Sequence, residues 1–173
     1  MDTFYLNKTK QVEAITSWLR LREGVHVSEK RDPMSDDCIE TSKQIIIRFT
    51  TKAMSDYLPN TEGGMSGWNN GDHYFYEVKI GRDSGCISMT FAMSGEGLND
   101  ELRAKMEKIY ELSGYGRNGK ENWKWRTSFR TGSYKLGDSV HEADLLKVLE
   151  DFFRQAMLYE QHILSRISLK KSN

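Results

Sequence analysis

The run Trp123-Lys-Trp-Arg-Thr-Ser-Phe-Arg130 alternates without a break. Trp123, Trp125, Thr127 and Phe129 occupy one set of positions, and Lys124, Arg126, Ser128 and Arg130 the other. A period of two belongs to a β-strand, whose successive side chains point to opposite faces of a sheet. The pattern predicts a strand over residues 123–131, paired in an antiparallel sheet, with the aromatic face on a core and the cationic face outward. From 117 to 135 there are six Lys or Arg (Arg117, Lys120, Lys124, Arg126, Arg130, Lys135) against one acid, Glu121, a local charge of +5. The whole chain balances 25 basic against 25 acidic residues. This concentration of charge therefore marks a candidate binding face. A half-buried strand with ordinary solvated Lys and Arg would carry the same letters.

What flanks the strand sets the fold class. Val12, Ile15, Trp18 and Leu19 mark one face of a helix over residues 7–23, with Gly24 as its stop signal. Residues 24–42 read as an acidic, irregular connector. A strand over 43–51 turns Ile45, Ile47 and Phe49 inward and Arg48 outward. Residues 52–72 hold Pro59 and four glycines and read as one long loop around Trp68, which either lids the core or offers a contact. The loop lacks the Gly-Lys-Ser/Thr ending and following helix that a phosphate loop requires. A hairpin follows, with Tyr74, Tyr76, Val78 and Ile80 on one face of its first strand. A turn at 81–85 leads to Ile87, Met89, Phe91 and Met93 in the second.

A helix over 99–113 groups Leu102, Met106, Ile109 and Tyr110, and Gly114 ends it. After the basic strand, Ser139 and Glu142 are spaced as a capping box for a last helix. Its apolar stripe runs through Leu145, Leu149, Phe152, Phe153, Ala156 and Ile163. Continued to Ile167, that helix spans ~42 Å at 1.5 Å per residue. Such a length is expected to project beyond the domain or to pair with a second copy. The expectation is a single α+β domain over residues 1–173, with an antiparallel sheet of about four strands, helices on one face and a long C-terminal helix.

Composition narrows the function classes. No apolar run is long enough to span a membrane. Two cysteines, Cys38 and Cys86, and a start without the order of a secretory leader point to a reducing cytoplasm. Neither cysteine has a ligand-spaced partner, and His26, His73, His141 and His162 are scattered, so no metal or other cofactor is expected. Glu77-Val78-Lys79 matches the Glu-x-Lys of a Mg²⁺ nuclease by letter. That chemistry needs a second carboxylate to hold the ion. Asp56 is the one candidate; Asp72 and Asp83 are badly placed. A Glu and Lys on the solvent face of a strand give the same triplet for structural reasons.

Several stretches together carry a resemblance. They are Ile-Ile-Ile-Arg-Phe-Thr-Thr-Lys-Ala-Met-Ser-Asp-Tyr-Leu-Pro (45–59), Ser-Gly-Trp with Tyr-Phe-Tyr-Glu-Val (within 66–78), Glu101-Leu-Arg103, and Trp-Lys-Trp-Arg-Thr-Ser-Phe-Arg-Thr (123–131). Across residues 43–165 the chain resembles the C-terminal accessory region of a bacterial PD-(D/E)XK nuclease family associated with restriction and defence. In the longer proteins the nuclease signature lies upstream, and the forty or so residues before this region contain no strand bearing it. The resemblance therefore implies an accessory domain of bacterial or phage origin, and binding rather than hydrolysis.

The expected function is that of a non-catalytic cytoplasmic module engaging nucleic acid or an acidic protein surface. Lys124, Arg126 and Arg130 would supply the contacts, extended by Arg117, Lys120 and Lys135, with Trp68 as a further contact. The neutral total charge is unlike that of dedicated nucleic-acid binders. Tryptophans among cations suit stacking on single strands, although strict alternation would turn Trp123 and Trp125 away from the basic face. The alternative is a protein-directed regulator or inhibitor of a defence nuclease, docking through the last helix and the Trp68 loop. A third reading is a minimal Mg²⁺ nuclease. The partners expected are nucleic acid or a nucleic-acid-processing protein, no membrane, and a homodimer through the last helix.

Overall fold

Local signals place the helices. In this computed structural model, which describes residues 5–28, 39–40, 43–58, 73–95, 97–114, 123–136 and 140–170, Asn7 caps α1 (Lys8–Arg20) by accepting a 2.9 Å hydrogen bond from the Lys10 amide. Asn99 does the same for α3 (Asp100–Ser113), accepting from Leu102 N at 2.8 Å. Such caps satisfy amides that a helix start leaves without partners. Gly114 ends α3 at φ 74°, a left-handed conformation that costs glycine little.

The strands follow in the order β1 (Tyr5–Leu6), β2 (Val25–Val27), β3 (Ile39–Glu40), β4 (Gln44–Thr51), β5 (Tyr74–Gly81), β6 (Cys86–Ser94), β7 (Trp125–Arg130), β8 (Tyr134–Lys135) and β9 (Val140–His141). The main sheet is antiparallel, ordered β2-β4-β5-β6-β7, with β3 also pairing β4 and β8 also pairing β6. The fold is α+β, as the patterning predicts. The short pair β1–β9 joins the start of α1 to the start of the last helix.

Several elements differ from the sequence reading. Strands β2 and β3 lie within the 24–42 connector expected to be irregular, so the sheet has more than the four or so strands expected. The expected loop at 52–72 begins instead with a short helix, α2 (Lys52–Tyr57). Thr51 caps it through Met54 N at 3.2 Å, and Met54 and Leu58, four apart on one face, are buried. The last helix, α4 (Glu142–Lys170), does not leave the body. Its buried residues are Leu145, Leu149, Phe152, Ala156, Glu160, Ile163 and Ile167, spaced four, three, four, four, three and four apart, which keeps one stripe on the protein almost to its end. The rest of the expected loop, the Ser139 cap and Trp68 lie outside the described residues.

Helices α1, α3 and α4 all cover the same face of the sheet. On that face Tyr76 lies between Phe49 (ring centroids 5.1 Å, stacked) and Phe91 (4.8 Å). Phe153 of α4 reaches Phe49 and Trp18, and Tyr159 reaches Phe91 and Phe129. Aromatic pairs of this kind add about 0.5–1.5 kcal/mol each beyond the area they bury. Among the described residues no helix is long and apolar enough to cross a membrane.

Candidate nucleic-acid interface

The β6–β7 pairing decides which side chains share a face. Phe91 faces Phe129, but the next pair is Ala92 with Thr127, so Ser128 is an extra residue in β7. A bulge of this kind reverses the inside–outside order of everything beyond it. In β6, Phe91 and Met93 point to the helices, while Thr90, Ala92 and Ser94 point to the opposite face. Arg130 pairs with Thr90, Thr127 with Ala92 and Trp125 with Ser94, so all three lie on the face away from the helices. Phe129 and Arg126, opposite Phe91 and Met93, lie on the helix side.

The expectation of two buried tryptophans beneath three exposed cations is therefore half right. Trp123 is 6% exposed, whereas Trp125 is 55% exposed. Trp123 sits where the chain enters β7, its ring 5.7 Å from the Arg103 guanidinium and its indole N–H directed to Glu107 Oε1 at 3.4 Å. Gly95 allows this approach: a Cβ there would stand 2.1 Å from the Trp123 carbonyl oxygen. Arg126 is not displayed. Its guanidinium lies 4.4 Å from the Tyr110 ring and 4.7 Å from that of Trp123, and Nη1 is buried without a hydrogen-bond partner. Arg126 thus ties β7 to α3 by cation–π contact, which removes it from the expected contact set.

Lys124, Arg130 and Lys135 are exposed. Lys135 pairs with Cys86, on the same side of β6 as Thr90, so it shares a face with Arg130 and Trp125. From Ser94 to Cys86 the partners of Trp125, Thr127, Arg130 and Lys135 span ~26 Å of strand. Arg117 and Lys120 lie outside the described residues.

The same face holds a charged row that the sequence reading did not assemble. Arg48, Glu77, Thr90 and Arg130 are successive partners across β4, β5, β6 and β7. Glu77 was expected on a solvent face, yet it is buried. Oε1 accepts from Arg48 Nε at 2.9 Å, with Nη2 also at 2.9 Å, and Oε2 lies 3.0 Å from Lys79 Nζ. Two cations on one carboxylate leave this pair of strands net positive beside Arg130. Asp56, the one candidate second carboxylate, is exposed in α2 and pairs with Lys52 at 2.6 Å. Among the described residues no group of three His, Cys, Asp or Glu is placed to hold a metal.

On the helix side, a hydroxyl network fixes the bulge. Ser128 Oγ lies 2.5 Å from Tyr159 Oη. The neighbouring Glu160 accepts from Tyr76 Oη at 2.8 Å and Thr51 Oγ1 at 2.6 Å, both on Oε2. Burial raises the Glu160 pKa, and the two hydrogen bonds partly oppose that rise. Burial, and then the adjacent carboxylate, push Tyr76 well above the usual phenol range. Burial also lowers the pKa of His73, at the entrance to β5. The signal for Glu160 lay in the sequence: it occupies a position where the α4 stripe would otherwise hold an apolar residue.

No protein-family model matches the chain, and no curated protein and no solved structure matches it.

Proposed function

We propose that the chain is a non-catalytic binding module that engages single-stranded nucleic acid along the β7–β8 margin of its sheet. Trp125 would stack on a base, while Arg130 and Lys135, with Lys124 beside them, would contact phosphates. The observation that carries this reading is the bulge at Ser128, which brings an exposed tryptophan onto the same face as the exposed cations. Strict alternation would have separated the stacking ring from the charge. An acidic protein surface would use the same cations but would gain less from an exposed indole. A bacterial or phage setting, and the resemblance to a nuclease accessory region, belong to the same proposal.

Salt dependence tests it. Binding of a labelled single-stranded oligonucleotide should weaken with a log–log slope of about −0.7 per phosphate neutralised. Arg130→Glu with Lys135→Glu should flatten that slope by about two contacts and leave the fold intact, because both side chains are exposed. Arg126 is left alone in this variant, since reversing it would break its contacts with the Tyr110 and Trp123 rings. Binding that is absent, or indifferent to salt and to both substitutions, would refute the proposal.

A further inference from the structure

A second surface stands apart from the β7 margin. A groove of about 650 Å³ runs along α4 beside the start of α2, lined by Ala53, Arg154, Met157, Glu160, Leu164 and Ser168 among others. That volume lies within the range of ordinary ligand sites. From Arg154 to Ser168 the groove follows ~21 Å of helix, about four turns, and its walls at Ala53, Met157 and Leu164 are apolar.

Glu160 makes this more than an apolar trough. Its side chain is 6% exposed, and both of its hydrogen bonds, from Thr51 and Tyr76, fall on Oε2. No basic side chain among the described residues pairs with it; Arg154, the cation on the groove, is engaged with Asp151 at 2.5 Å. Lys52, at the start of α2, is engaged with Asp56. A buried carboxylate without a counter-ion is costly, and here it lines a groove open to solvent.

We infer that this groove docks an amphipathic helix of a partner protein whose apolar face carries a Lys or Arg, the cation being received by Glu160. The apolar walls would take the flanking residues of that helix at i, i+3, i+4 and i+7. The carboxylate would select a basic residue over a neutral one, through a charge-assisted hydrogen bond in a partly desolvated site. The length of the groove favours a helix over a compact amine, which would fill only one end.

The probe is a synthetic amphipathic helix of about 15 residues with leucines on one face and a single Lys among them. A twin peptide carries norleucine in place of the Lys, and n-hexylammonium serves as a small-amine control. Titration of isotope-labelled protein should move the amide signals of Ala53, Leu158, Leu164 and Ser168. The norleucine peptide should bind about tenfold more weakly, the loss of one charge-assisted hydrogen bond. Glu160→Gln should erase that preference. Ser165→Arg, an exposed rim substitution that offers the groove a cation of its own and leaves Glu160 in place, should block the peptide. Equal binding of the two peptides to the wild-type protein, or a preference that survives Glu160→Gln, would overturn the inference. So would saturation of the same signals by n-hexylammonium at the peptide's concentration, which marks a small-amine site. Shifts of those signals with protein concentration alone would assign the groove to a second copy and equally overturn it.

Discussion

The β5–β6 hairpin and the β7 strand carry the same kind of pattern, large apolar residues recurring at alternate positions, and they fold to opposite effect. In the hairpin every alternate residue from Tyr74 to Ile80, and from Ile87 to Met93, is buried under the helices. In β7 the alternation fails within six residues, leaving Trp125 exposed and turning Arg126 inward. The difference lies in what fixes register. The hairpin is closed by a turn in which Gly85 N donates to Gly81 O at 3.0 Å, so its pairing is set locally, in the middle of the sheet. β7 arrives after a helix, pairs with a strand on one side, and takes its register from the contacts it can make. Those are Phe129 against Tyr159, Ser128 on the Tyr159 hydroxyl, and Arg126 between Tyr110 and Trp123. One added residue lets all three form.

Tryptophan truncation gives the widest separation. Trp123→Ala removes a buried indole and should cost about 3–5 kcal/mol in urea unfolding. Trp125→Ala, two residues along the same chain, should stay within about 0.5 kcal/mol of wild type. Equal costs at the two positions would mean that the alternation had held after all.

Next in size is the bulge itself. Ser128→Ala leaves the partly buried Tyr159 hydroxyl without its partner in β7, at about 1–3 kcal/mol by the same measurement. A neutral result would detach the bulge from α4 and leave its register without a cause.

The hairpin has its own tie to α4, through Glu160 and Tyr76, and here the effect is a dependence on pH. Burial raises the Glu160 pKa above its ordinary 4.5, so the folded chain holds that proton more tightly than the unfolded one. The resulting contribution is complete below pH about 4.5 and is lost as pH rises through the higher folded value. Stability of the wild type relative to Glu160→Gln should therefore fall between pH 4.5 and neutrality. A difference that grew with pH would contradict a carboxylate strained by burial.

How far the sequence could be read follows the same division. The apolar spacing of α1 and α3 and the stop at Gly114 are local, and they placed both helices within a few residues; that Asn7 and Asn99 cap them emerged from the structure. The α4 stripe gave the helix its length, but the spacing of Ile163 and Ile167 was the sign that it stays on the body. Helix α2 was missed because Pro59 and the glycines beyond it dominated the segment, although Met54 and Leu58 are an i, i+4 pair. Strands β1, β2, β3, β8 and β9 are two or three residues long, too short for a period to show. The bulge left no mark, since Ser128 is neither glycine nor proline and its position depends on Tyr159, thirty-one residues on. The Arg48–Glu77–Thr90–Arg130 row exists only once four strands have been brought into register.

The most direct test of the account is a titration of labelled single-stranded oligonucleotide with wild-type protein and Trp125→Ala. An indole stacked on a base contributes about 1–3 kcal/mol, so the substitution should weaken binding roughly five- to 150-fold while the urea midpoint stays in place. Unchanged affinity in the Trp125→Ala protein would show that the exposed tryptophan and the basic margin do not act together, and the account of the β7 face would fall with it.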